Sequence, residues 1–274
     1  MTPADRRAAA DRLRRRYPVS VERVCGLIGL QRSSYYYRPK ELDDGPLREA
    51  LKKKAGKRRR YGYRRLQLLL QREGWKDNHK RIFRVYREEG LQIPKRRRKR
   101  TARWRGELPG RPQRANDRWS MDFVQDCLAD GRRIRILNVV DDYTRECLAA
   151  EVDTSLSGLR VTRVLDQIIE RRGKPERLVM DNGPEFAGKA LDAWAYQRGI
   201  RLEFIEPGKP VQNAYAESFN GRMRDECLNE HWFINLKHAR KVIGAWRIDY
   251  NYCRPHSSLG NKTPAEFAEM LRAG

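Results

Sequence analysis

At 274 residues the chain has room for one well-cored catalytic domain and one or two small modules, and 60 Lys and Arg against 36 Asp and Glu give it a net charge of +24. Residues 1 to 116 hold 36 basic and 12 acidic side chains while residues 117 to 274 hold 24 of each, so the whole excess precedes Asp117. No apolar run approaches the roughly 18 residues of a membrane span, the Arg-rich start lacks a signal-peptide core, and scattered cysteines without paired spacing suit a reducing cytoplasm.

The basic arm comes first. Val21, Val24 and Ile28 recur at helical spacing behind a capping Ser20, Gly29 supplies a turn, and Arg32 opens Arg32-Ser33-Ser34-Tyr35-Tyr36-Tyr37. Leu66, Leu69 and Leu70 stripe a later helix ended by Gly74. Asn78 can cap a further helix in which Ile82, Val85 and Tyr86 face inward and Arg81, Arg84 and Arg87 line the other side. Each pair reads as a helix-turn-helix or as a plain helical hairpin. Lys52 to Lys54 with Lys57 to Arg60, and Lys95 to Arg100 with Arg96, Arg97 and Arg98 at its centre, are runs without periodicity, the usual pattern of solvated linkers. The second precedes the Gly- and Pro-containing stretch 106–112, where an extended chain could track a phosphate backbone. A solvated basic surface or ribosome-like RNA binding is the bland alternative for the arm as a whole. The expected organisation is a helical DNA-binding region over 1–94, a basic linker over 95–116 and a catalytic core with C-terminal helices over 117–274.

From Asp117 the patterning predicts strands over 118–124, 133–141 and 145–152, a helix over 156–172, a strand over 176–181, a helix over 186–199, a strand over 201–205 and a helix over 212–228. Three successive strands followed by alternation imply a mixed α/β sheet. Leu236, Ala239, Ile243, Trp246 and Tyr250 then mark a long amphipathic helix expected to cover the core, and Arg254-Pro255-His256 reads as a loop with a structural or DNA-contacting histidine.

Three acids stand out by setting. Asp122 lies in the strand-like Trp119-Ser120-Met121-Asp122-Phe123-Val124, and Asp181 ends the apolar Leu178-Val179-Met180 before Asn182-Gly183-Pro184. Glu217 lies on a helix whose Ala216, Phe219 and Met223 can pack inward, with Asn213, Gly221 and Arg224 on its own face. Two strand ends and one helix face can converge. Thirty-five residues separate Asp181 from Glu217, an interval that about one Asp–Glu pair in this region meets by chance, so context carries the argument. Two Mg²⁺ ions can serve both oxygens of an in-line phosphoryl displacement, and hard cations take oxygen ligands, so three carboxylates suffice; Mn²⁺ is expected to substitute. The histidines and cysteines show no zinc spacing. Asp141 and Asp142, closing a similar apolar run, are rivals to Asp122.

The motifs Asp-Asn-Gly-Pro-Glu-Phe (181–186), Gly-Lys-Pro-Val-Gln-Asn-Ala (208–214), Glu-Ser-Phe-Asn-Gly-Arg (217–222) and Tyr-Asn-x-x-Arg-Pro-His-Ser-Ser-Leu-Gly (250–260) resemble the integrase-type transposases of bacterial insertion sequences. More narrowly, the chain resembles the second-reading-frame product of insertion-sequence family three. The resemblance implies a ribonuclease-H-like mixed-sheet core behind an all-α helix-turn-helix region, with Asp122, Asp181 and Glu217 as catalytic metal ligands and Asn220 and Arg224 against DNA. It also tips Arg32, Arg81, Arg84, Arg87 and Arg96 to Arg98 toward DNA contact. The expected activity is metal-dependent cleavage and strand transfer at the ends of a mobile element. A nuclease of the same fold, or a regulator derived from a transposase, is the alternative. Expected partners are double-stranded DNA, further copies of the chain on that DNA and, since no sustained heptad repeat follows the opening Met, the upstream-frame protein. A bacterial cytoplasmic site follows, with no membrane.

Overall fold

The computed structural model describes residues 2–37, 43–94, 110–183, 186, 188–206 and 210–273. The chain divides into two compact units, Met1–Pro46 and Leu47–Gly274.

The first unit holds α1 (Pro3–Arg16), α2 (Val21–Leu27) and α3 (Arg32–Tyr36). Thr2 and Asp5 form a capping box that starts α1. Ser20 caps α2 by accepting from Arg23 N, and Gly29 at φ +61° turns the chain toward α3. Ala10, Val24, Cys25, Leu30 and Tyr35 form its small core, and the Tyr35 hydroxyl donates to Asp11 Oδ1 at 2.7 Å.

The second unit opens with α4 (Gly45–Lys57), α5 (Tyr63–Arg72) and α6 (His79–Glu88) around Leu47, Leu51, Leu66, Leu70, Ile82 and Val85. Lys52 to Lys54 therefore belong to a helix and not to a solvated linker. Leu47 and Leu51, one turn apart, bury a stripe that the lysine run hides in the sequence. Nor is the run 57–60 free in solvent. Arg58 pairs with Asp249 and Arg60 with Asp225, both on the C-terminal helices described next.

The core is a five-stranded sheet in the order β3-β2-β1-β4-β5, with β1 (Arg118–Cys127), β2 (Arg133–Asp141) and β3 (Cys147–Asp153) antiparallel. β4 (Arg177–Met180) runs parallel to β1, and β5 (Arg201–Phe204) parallel to β4. Because side chains alternate across a strand, two apolar faces result. Met121, Leu137, Val139, Leu178 and Met180 pack on one side with α7 (Gly158–Arg172) and α8 (Lys189–Arg198). Val124, Ile136, Val140 and Val152 pack on the other with α9 (Ala214–Glu226) and α10 (Leu236–Tyr252). This is a ribonuclease-H-like α/β core. Ala239, Ile243, Trp246 and Tyr250 bury the predicted stripe of α10 against the sheet, and α11 (Pro264–Ala273) follows as a helix the sequence patterning did not reveal. Among the described residues no helix is long and apolar enough to cross a membrane.

Candidate active site

Register brings the first two acids together. β1 and β4 pair Ser120 with Val179, and continuing that parallel register by two residues places Asp122 beside Asp181. Both share parity with Ser120 and Val179, opposite to Met121 and Met180, so both lie on the face that α9 covers. α9 is seated there by Ala216, Phe219 and Met223, each at most 1% exposed, which leaves Glu217 on its open side. Asn213, at the start of α9, donates to Met121 O at 3.3 Å and pins the helix end next to Asp122.

Asp122 is held by two donors, Phe123 N to Oδ1 and Asn220 Nδ2 to Oδ2, both at 2.7 Å. Asn220 in turn accepts from Asn138 Nδ2 at 2.7 Å, and Asn138 is the β2 residue directly across from Asp122. Asn220 is buried, with its amide engaged by Asp122 on one side and Asn138 on the other. Sequence reasoning missed Asn138. The signal was a lone amide in the apolar run 134–140.

Burial raises the Asp122 carboxyl to about 6, and the charges of Asp181 and Glu217 push in the same direction against the two hydrogen bonds. Burial also raises Glu217. Both neighbouring acids thus act on Asp122 through space. Among the described residues no three His, Cys, Asp or Glu side chains stand at metal-holding spacing. The donor set nevertheless suits a hard divalent cation: three carboxylates, no nitrogen or sulfur competitor, and repulsion at Asp122 that a cation would relieve.

The rivals have other duties. Asp141 accepts from Asn116 N, Tyr143 N and Thr144 N at 2.8, 2.8 and 2.9 Å and organises the turn after β2. Asp142, fully buried, accepts from Arg118 Nε at 2.6 Å and Ser120 Oγ at 2.8 Å. Arg224 is exposed on α9, and Arg32 is exposed at the start of α3. On α6, Arg81 pairs with Asp77 at 2.5 Å, Arg84 with Glu88 at 2.9 Å, and Arg87 lies over the Phe83 ring at 5.9 Å. Arg96, Arg97 and Arg98 lie outside the described residues. His256 is buried, in edge contact with the Tyr250 ring at 4.9 Å, and so is structural.

Residues 112–210 and 198–264 each match an integrase core domain family, and residues 42–100 match an HTH-like domain family. The 31.7 kDa protein of insertion element IS407 from Burkholderia multivorans is 50% identical over 95% of both chains. The 39.2 kDa protein of insertion element IS476 from Xanthomonas euvesicatoria is 48% identical over 99% of this chain and 79% of its own. A looser likeness, TM-score 0.47 at 19% identity, links 60% of this chain to 99% of the HTLV-2 integrase catalytic core solved in complex with magnesium. With integrase-core matches spanning the sheet, α9 and α10, and insertion-element relatives identical at about half their positions along nearly the whole chain, this protein belongs to the integrase-core transposases of bacterial insertion sequences, in insertion-sequence family three.

Proposed function

We propose that the chain is a transposase that cuts a DNA strand at the ends of its element and joins the freed 3′-hydroxyl to a second phosphodiester, using one acidic site for both displacements. The observation that supports this reading is the parallel register of β1 and β4, which, continued two residues past Ser120 and Val179, would bring Asp122 beside Asp181 on the side that α9 covers. Asp122, Asp181 and Glu217 would hold two Mg²⁺ ions, or Mn²⁺ in their place. Divalent ions in such a site supply charge stabilisation to the attacking and leaving oxygens of an in-line displacement. The protein's own contribution is orientation. Asn220 and Asn138 fix the Asp122 carboxylate, and Asn213 fixes the start of the Glu217 helix relative to β1. The substrate is double-stranded DNA in the bacterial cytoplasm, bound by several copies of the chain, with the upstream-frame protein as a further partner. Arg224, exposed one helical face along from Glu217, is assigned to DNA, as are Arg32, Arg87 and the run 96–98.

Asp122→Asn, Asp181→Asn and Glu217→Gln should each lower cleavage and joining by a thousandfold or more, on the order expected when charge stabilisation at the reacting oxygens is lost. DNA affinity should remain. Asp126→Asn, on the same strand but away from the site, is the suitable control, since Asp142 is committed to Arg118 inside the core. The assay is end-containing duplex with Mg²⁺, scored for both cut and joined product. Full activity of Asp181→Asn would refute the assignment, and cut DNA without joined DNA would make the protein a nuclease.

A further inference from the structure

A cleft of about 790 Å³ separates α5 from α9 and ends at the corner formed by residues 254–258. Its walls are cationic. Arg64 and Arg65 come from α5, Arg222 from α9 and Arg254 from the corner, with the hydroxyls of Ser257 and Ser258 beside them. One carboxylate serves this cluster: Glu226 accepts from Arg254 Nε and Nη2 at 2.8 and 2.7 Å and from Arg65 Nη1 at 3.3 Å. Arg222 donates to the carbonyl and hydroxyl oxygens of Ser218 at 2.9 and 2.7 Å, and Arg64 reaches the Tyr63 hydroxyl at 3.3 Å. Among the described residues neither forms an ion pair with a carboxylate.

Positive charge therefore collects in a partly desolvated place without enough counter-charge. Burial and the neighbouring Arg254 hold both Arg65 and Arg222 below the ordinary guanidinium range. An anion in the cleft would relieve this strain. Arg222, which donates to Ser218, sits on α9, the helix that also carries Glu217. Farther along, Arg145 lies over the ring of Tyr215 at 4.0 Å, two residues before Glu217. A line of cations thus runs beside the helix of the third acid.

We propose that this cleft seats the sugar–phosphate backbone of one strand of the DNA on which the acidic site acts, with Arg64 and Arg222 each taking a phosphate. Planar guanidiniums without carboxylate partners suit phosphate oxygens. The inference rests on the transposase reading for its substrate, yet the two can fail separately.

The test uses the full chain. Wild type, Arg64→Gln, Arg222→Gln, the double variant and the Arg64→Lys/Arg222→Lys pair are titrated with end-containing duplex from about 50 to 200 mM salt, with thermal melts to establish folding. Each lost phosphate contact should flatten the slope of log K against log salt by about 0.9, so the double Gln variant should lose nearly twice that while the Lys pair keeps most of it. Single methylphosphonate substitutions along the DNA should find phosphates whose neutralisation weakens the wild type about tenfold and leaves the double Gln variant unaffected. A folded double Gln variant with unchanged slope and no methylphosphonate-insensitive position overturns the cleft. If inorganic phosphate shifts the melting of wild type and variant alike, the phosphate sits elsewhere and the assignment is again wrong. The parallel Asp181→Asn assay reports on the transposase reading alone, since that variant keeps the cleft.

Discussion

Asn220 is a buried amide held between Asp122 and Asn138. It donates to Asp122 and accepts from Asn138, so Asn220→Ala removes an orienting bond and strands a buried amide, at a cost of about 1–3 kcal/mol in stability. Loss of such a supporting contact should raise the Mg²⁺ concentration for half-maximal cleavage about tenfold or more, with DNA affinity unchanged. A metal titration of cleavage checks this, and an unaltered midpoint in Asn220→Ala would deny the positioning role. His256 works at the same scale on stability. Burial, joined by Arg254, Arg222, Arg65 and Arg145, depresses it to about 2, against about 6.5 in the unfolded chain. The folded state thus resists protonation. Its contribution is fully present above pH 6.5 and is lost as pH falls, by about 1.4 kcal/mol at pH 5.5. Asp122, raised to about 6, titrates in the same window with the opposite sign, so the His256 contribution is read as the difference between His256→Phe and the parent in the pH dependence of denaturant midpoints from pH 7.5 to 5.5.

At the scale of elements, the strands and helices of the core were readable because each buries a long apolar run or stripe. β2 matches the predicted 133–141 because Ile136 to Asp141 form a nearly continuous buried run, covered on both faces, and α10 matches because its apolar stripe runs over four turns. Elements with little to bury were not readable. α1 buries only Ala10, so its arginines concealed it and the Thr2–Asp5 capping box was the remaining signal. α4 offers Leu47 and Leu51 inside a lysine run. Within the site, the distinction between Asp122 and its rivals was not available locally, since Asp142 also closes an apolar stretch. Their contacts differ: Asp122 accepts from Asn220 of α9, while Asp142 lies beyond the end of β2 and answers Arg118. The corner that begins with Arg254 is another pairing invisible in sequence, joining α9 through Glu226 to a residue 28 positions on. Arg254→Ala should cost about 3–5 kcal/mol, the range for removing one partner of a buried pair, because Glu226 would remain buried with its two closest hydrogen bonds gone. A drop of that size in unfolding free energy is the measurement; a loss under 1 kcal/mol would show the pair to be solvated.

Across the whole molecule, two basic runs of like composition are expected to serve different ends. Arg58 and Arg60 are held by Asp249 and Asp225, so the three-helix module α4–α6 meets the core through ion pairs rather than a shared apolar cluster. Arg96, Arg97 and Arg98 lie in the run that the charge split assigns to phosphate, with +24 before Asp117 and none after it. If six to ten phosphates are engaged, the full chain should lose on the order of a thousandfold in DNA affinity between about 50 and 200 mM salt. Replacing Arg96, Arg97 and Arg98 by Ala should flatten that dependence by up to about 0.9 per lost contact, equally for end-containing and random duplex, as phosphate contacts require. Replacing Arg58 and Arg60 by Ala should leave the slope nearly unchanged and instead speed proteolysis after Lys57 and near Tyr61, because those side chains hold the module and not the DNA. Salt-series titrations of both variants, run beside limited proteolysis, separate the two uses, and a flattened slope for the Arg58/Arg60 variant would show that its arginines leave Asp249 and Asp225 when DNA binds.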